Sequence, residues 1–230
     1  MNMVTKRISS ARAPLTDEEL RSLTVDQFFQ LKLTNEEKER LREINQQREQ
    51  ERIERAARLR VEEEPILAEL REIGWDVRSV WDLVNSSAPY PEAIPILLKH
   101  LPLPYSDVVK DGIARSLGVP TPEVQRAWSM LLHEYRKAPA GNGIVAPGDT
   151  RKYRFGAKDG LACALAITVT DDRLPELIAL AKDSAHGESR ILLLSALKKR
   201  RKKNPLAKQA IDVLAGDPDL QKEIASWGKR

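Results

Sequence analysis

The stretch Lys110-Asp111-Gly112-Ile113-Ala114-Arg115-Ser116-Leu117-Gly118 returns further along the chain as Lys158-Asp159-Gly160-Leu161-Ala162-Cys163-Ala164-Leu165-Ala166. Five of the nine positions are identical, and most of the rest exchange small for small or apolar for apolar. Arg190-Ile191-Leu192-Leu193-Leu194-Ser195-Ala196-Leu197-Lys198 keeps the leading cation, the apolar fourth place and the Leu at the eighth. The segments upstream agree as well. Ile94-Pro95-Ile96-Leu97-Leu98 stands 80 residues before Leu174-Pro175-Glu176-Leu177-Ile178, and the same offset relates Ile113 to Leu193 and Leu117 to Leu197. An offset shared by two successive apolar segments marks an internal repeat, which decides the architecture before any single motif does.

Each unit reads as two antiparallel helices. The first begins near a proline, which is tolerated in a first turn because its missing N–H had no partner there. Unit one covers about 89–118, unit two about 121–168 and unit three about 172–202, with a closing pair at about 204–228. In unit two the first helix carries Val124, Trp128, Leu131, Leu132 and Tyr135. One such hairpin cannot bury both of its faces, so stacking must supply the core. The recurring Gly112 and Gly160 sit inside helices at a cost of about 1 kcal/mol each relative to Ala, which points to close helix approach.

The segment before the repeats is different. Residues 1–14 read as a basic, disordered tail. Thr16-Asp17-Glu18-Glu19, Thr24-Val25-Asp26-Gln27 and Thr34-Asn35-Glu36-Glu37 each have the capping-box spacing, in which a Thr hydroxyl and an acidic or amide side chain satisfy each other's backbone N–H. From Asn35 to Glu64, 18 of 30 residues are charged and none is Gly or Pro. A long helix is expected there, without a sustained heptad seam. Pro65 should kink or restart it, Gly74 should end it, and Asp76 should cap a further helix carrying Val77, Val80, Trp81 and Val84. The expected organisation is a tail over 1–14, a helical extension over 15–75 and a repeat domain over 76–230.

The pattern Asp107-Val108-Val109-Lys110, then Ile113-Ala114 and Leu117-Gly118, resembles the second helix of the HEAT-repeat family. The resemblance covers about 89–203 well and 204–228 loosely, and it does not reach 1–75. It implies an all-α, right-handed α-solenoid of three to four helical hairpins that binds a macromolecule on its concave face. It implies no substrate, because one fold hosts many functions. The departures are an insertion in unit two and Leu-rich packing in unit three.

The whole chain of 230 residues carries a net charge of +4. Residues 1–115 hold 18 basic and 21 acidic side chains, whereas residues 116–230 hold 20 and 13. The second half is therefore the basic one. Lys110, Lys158 and Arg190 occupy equivalent places in the three repeats. Two readings stand for them: inter-repeat ion pairs with Asp111 and Asp159, worth about 0–1 kcal/mol each if exposed, or a cationic stripe that also takes in Arg115 and receives an acidic partner. The insertion at about 138–157 holds Arg151-Lys152-Tyr153-Arg154-Phe155, three cations interleaved with two aromatics, and long loops on rigid scaffolds often carry function. Lys198, Lys199, Arg200, Arg201, Lys202 and Lys203 form a basic run, of which the helix dipole explains one or two.

Catalysis finds little support. His100, His133 and His186 lack metal-ligand spacing, Cys163 reads as a small buried hydrophobe, and no glycine-rich phosphate loop or nucleophile elbow is present. HEAT-like DNA glycosylases place acidic and aromatic residues in a basic groove, but no catalytic Asp can be assigned here. The expectation is a cytoplasmic, non-enzymatic scaffold without metal or cofactor, away from membranes. A protein partner leads, through the concave face and the 138–157 loop. A nucleic acid, favoured by the basic half, is the second class, and an immunity or inhibitor role the third.

Overall fold

The computed structural model describes residues 12–228. Among the described residues the chain is all-α apart from one hairpin of two-residue strands. It divides into two compact units, Met1–Glu54 and Arg55–Arg230. Residues 1–11 of the expected basic tail lie outside the described residues.

In the first unit, α1 (Asp17–Ser22) and α2 (Val25–Gln30) precede α3 (Asn35–Glu72), which continues into the second unit. All three Thr-initiated motifs form. Thr16 and Thr24 accept the N–H of Glu19 and Gln27, whose side chains return the bond. Thr34 and Glu37 do the same at 2.8 and 3.2 Å. Glu37 is buried, and the N–H groups of Leu15 and Thr34, aided by Arg12, hold its carboxyl down to about 2. Leu20, Leu33 and Ile44 form a small apolar cluster around which Leu15, Leu23, Leu31 and Leu41 pack.

Pro65 does not restart α3, which runs through it to Glu72. A proline inside a helix costs about 3 kcal/mol, yet the turns beyond it bury Ile66, Leu67 and Leu70, each worth roughly 1.5–3 kcal/mol. Burial outweighs the lost bond. Gly74 ends the helix as expected, at φ +90°. The Trp75 N–H reaches Leu70 O and the Gly74 N–H reaches Arg71 O, which together make a Schellman closure. The compact second unit begins at Arg55, and the last turns of α3 belong to its core.

Asp76 does not cap a helix. The next helix, α4, is only Trp81–Val84. The preceding residues are tied down instead: Ser79 Oγ donates to Glu63 at 3.0 Å and the Arg78 N–H to Asp82 at 2.8 Å.

Among the described residues the remaining α-helices are α5 (Ile94–His100), α6 (Asp107–Ser116), α7 (Pro122–Arg126), α8 (Trp128–Lys137), α9 (Ala157–Thr168), α10 (Leu174–Lys182), α11 (Arg190–Arg200), α12 (Pro205–Leu214) and α13 (Gln221–Ser226). The first helix of unit two is broken at Ala127 into α7 and α8. Helices α5 and α10 begin 80 residues apart, as the repeat requires. Helix α6 packs on α9, and α9 packs on α11. Helix α5 touches α7, and α10 touches α12. One continuous apolar core joins them, with Leu97, Ile113, Trp128, Leu165, Leu177, Leu194 and Leu214 among its members.

The two repeated glycines sit at the closest approaches in this stack. A Cβ on Gly160 of α9 would lie 2.4 Å from Asp111 Oδ1 and 3.0 Å from the Asp111 carbonyl on α6. A Cβ on Gly112 would lie 2.6 Å from Val80.

Candidate functional site

The insertion in unit two is built as a braced hairpin. Strand β1 (Asn142–Gly143) pairs antiparallel with β2 (Tyr153–Arg154), Asn142 facing Arg154 and Gly143 facing Tyr153. The Phe155 ring lies across Gly143, so close that a Cβ there would be 2.1 Å from it. The far end of the loop is fixed from α3. Arg55 donates to both oxygens of Asp149, at 2.9 and 3.2 Å, and Arg58 Nε donates to Pro147 O at 2.7 Å. Asp149 closes its own turn by accepting the Ala146 N–H at 3.0 Å. The Val108 N–H of α6 donates to Val145 O, and Val145 and Ala146 are buried. Where the loop re-enters the helix stack, Asp107 accepts the N–H groups of Gly156 and Ala157, capping the first turn of α9 from α6.

Two clefts flank the ridge made by Pro139 and Phe155. The first, about 380 Å³, is polar: Asn142, Arg154, Lys158, Asp159, His186 and Glu188 face it. The second, about 300 Å³, is more apolar, with Leu101, Tyr105, Ile144, Ala157 and Leu161 beside the Lys110–Glu134 pair. Ile144 is 54% exposed at its edge.

The floor of the polar cleft is held by buried groups. Lys158 Nζ donates to the carbonyls of Tyr135 and Ala138, at 3.0 and 2.9 Å, and lies 4.9 Å from the centre of the Tyr135 ring. Burial pulls the Lys158 ammonium below its ordinary range. The Tyr135 hydroxyl bonds Ser189 at 2.9 Å, and burial pushes it up to about 12. His186 packs on the Tyr135 ring at 4.8 Å, and burial, with Lys158 nearby, lowers its pKa, favouring the neutral imidazole. At the mouth, Arg154 bridges Asp159 at 3.0 Å and Glu188 at 3.3 Å. The arrangement offers fixed donors and acceptors to a side chain entering from outside.

Of the two readings for Lys110, Lys158 and Arg190, the exposed stripe does not form, and the ion pairs of Lys110 and Arg190 are made with acids other than Asp111 and Asp159. Lys110 pairs with Glu134 at 3.1 Å, Lys158 is buried on carbonyls, and Arg190 is 0% exposed, bonded to Asp217, Asp219, Ala181 O and Gly187 O. Asp111 is buried against Arg115 at 2.8 Å, and burial raises its pKa to about 6. The partners of the three repeated cations lie outside the α6–α9–α11 row: Lys110 and Lys158 bond to α8 and its C-cap, and Arg190 to the end of α10 and the turn after α12. Tyr153 is likewise engaged: Arg55 lies 4.8 Å from its ring centre and Arg151 Nε donates to its hydroxyl at 2.6 Å. Lys152, Arg154 and Lys199 stay exposed. Arg200 binds Asp171 and Val169 O, and Arg201 lies 5.9 Å from the Trp227 ring centre. Cys163 is half-buried, and its thiol is pushed up by burial.

Sequence reading missed Arg55, Arg58, Asp107 and Asp149. The turn Pro147-Gly148-Asp149 is visible in the sequence, but its partner on α3 is not. Among the described residues, no group of three or more His, Cys, Asp or Glu side chains is placed to hold a metal ion. None of the described helices is long and apolar enough to cross a membrane. No protein-family model, curated protein or solved structure matches the chain.

Proposed function

We propose that the chain is a non-enzymatic, HEAT-like α-solenoid that binds a protein partner through the insertion between α8 and α9. The order of helix contacts and the 80-residue offset between α5 and α10 support the solenoid reading. The observation that carries the binding reading is the bracing of the loop. Arg55, Arg58, Val108 and Asp107 fix an insertion of some twenty residues that a solenoid does not need for its own core. A surface held in one conformation avoids the ordering cost of binding.

The two clefts support a partner of mixed chemistry. An apolar side chain enters beside Ile144 and Leu161, while a polar or charged neighbour crosses the Pro139–Phe155 ridge to meet Arg154, Asp159 and Glu188. Lys158 and Arg190, both buried, and Lys110, held by Glu134, supply rigidity to this surface.

The test is affinity capture from the native source with the wild-type chain and with Ile144→Glu and Arg154→Glu. A protein retained by the wild type and lost from both variants supports the reading. An unchanged set of retained proteins contradicts it.

A further inference from the structure

A second surface lies at the C-terminal end of the repeat body and shares no lining residue with the two clefts. Helix α11 ends at Arg200, and the basic run continues through the turn 201–203 into α12. Lys198, Lys199, Lys202, Lys203 and Lys208 are exposed, and Arg201 is half-buried. Among the described residues none of these six makes an ion pair, although Arg200 between them does, with Asp171. Three of them, Arg201, Lys202 and Lys208, line a shallow groove of about 400 Å³ together with Ile211 and Trp227, with Asp212 as its acidic member.

The helix dipole favours one or two cations at the end of α11. It offers nothing to Lys202, Lys203 and Lys208, which lie beyond that helix. Six like charges on one end repel each other unless an anion joins them. Five of the six are lysines, which meet phosphates as point charges without bidentate geometry, as contacts to a repeating backbone require. Trp227 is the one aromatic side chain from residue 191 to 228. It is buried, with Lys198 5.0 Å and Arg201 5.9 Å from its ring centre and its indole N–H given to Glu223 at 2.7 Å. No base can stack on it, and stacking platforms are what single-stranded binders use.

We infer that this end binds the phosphate backbone of a nucleic-acid duplex without reading its sequence. The contacts are electrostatic, so affinity falls with salt by about 0.9 log units per log unit of salt for each phosphate neutralised.

The test is fluorescence anisotropy of a labelled 20-base-pair DNA duplex titrated with the full chain across a salt series. The partners are the exposed-site variants Lys199→Glu/Lys202→Glu/Lys203→Glu and Lys199→Gln/Lys202→Gln/Lys203→Gln, with folding verified by thermal melting. Binding is expected at low salt, its salt slope smaller by about 2 to 3 in the Gln variant, lost in the Glu variant and unchanged in Ile144→Glu. A single strand of the same length should bind more weakly. No binding at low salt, or a slope unaffected by the Gln variant, would overturn the inference. So would a polyglutamate chain of equal charge competing as well as duplex, which would assign the surface to an acidic protein.

Discussion

Asp149 and Arg55 are joined by two hydrogen bonds, at 2.9 and 3.2 Å, across 94 residues of chain. The Asp149 side chain is only 3% exposed, so this pair is the point at which α3 fixes the inserted loop.

Breaking that pair should loosen the loop as one piece. In a double-mutant cycle, Asp149→Ala and Arg55→Ala are expected to couple by about 1–2 kcal/mol in chemical denaturation. Amide exchange should accelerate over residues 142–154 in either variant and stay slow in α6 and α9. Additive single effects would show that the pair contributes nothing beyond its two separate side chains.

Arg190 should behave as a core residue. Arg190→Ala removes a guanidinium that serves two carboxylates and two carbonyls, and it should cost about 3 kcal/mol. Lys199→Ala and Lys202→Ala, both at exposed positions, should each change stability by less than about 0.5 kcal/mol. Equal small effects at all three positions would restore the exposed cationic stripe.

Asp111 sets a pH dependence. Its folded-state pKa, raised from 3.8 to about 6 chiefly by burial and by Asp107 and Asp159, against the pull of Arg115, lies above its unfolded value. Between these values the folded state binds more protons, so stability falls as pH rises through the window and the loss is complete above pH 6. The two-unit shift corresponds to roughly 3 kcal/mol. Denaturation of the wild type and Asp111→Asn across pH 4 to 7 checks this. The variant should lack most of the decline, and parallel profiles would contradict it.

Gly160→Ala should destabilise by about 1–3 kcal/mol through overpacking against Asp111, despite the better helix propensity of alanine. Gly216→Ala, where the nearest atom to an added Cβ is 3.6 Å away, should be neutral or stabilising by up to about 1 kcal/mol. Thermal unfolding of the two variants separates these signs.

The helices were legible because their signals are local. Thr34 and Glu37 are three residues apart, and the repeated Gly112 and Gly160 announce close packing within their own nonapeptides. The direction taken by Lys158 and Arg190 was not legible. A cation on a repeated helix reads as surface until its acceptors are known, and those of Arg190 include Asp217 and Asp219, in the turn beyond the next helix. The role of α3 was hidden for a related reason. Its charged face suggests a solvated rod, yet Arg55, Glu62, Glu63 and Glu69 each meet a partner far along the chain: Asp149, Ser106, Ser79 and His100. Pro65 misled because its local cost is real, but the burial of Ile66, Leu67 and Leu70 exceeds it.

The most direct measurement of the account is site-specific photocrosslinking in the native source, with the photoreactive residue at Ile144 and, as a control, at Val213, which is 57% exposed on α12. A discrete protein adduct from position 144 that is absent from position 213 is the predicted result. Adducts from position 213 alone, or the same adducts from both positions, would contradict the assignment of the braced insertion as the partner-binding surface.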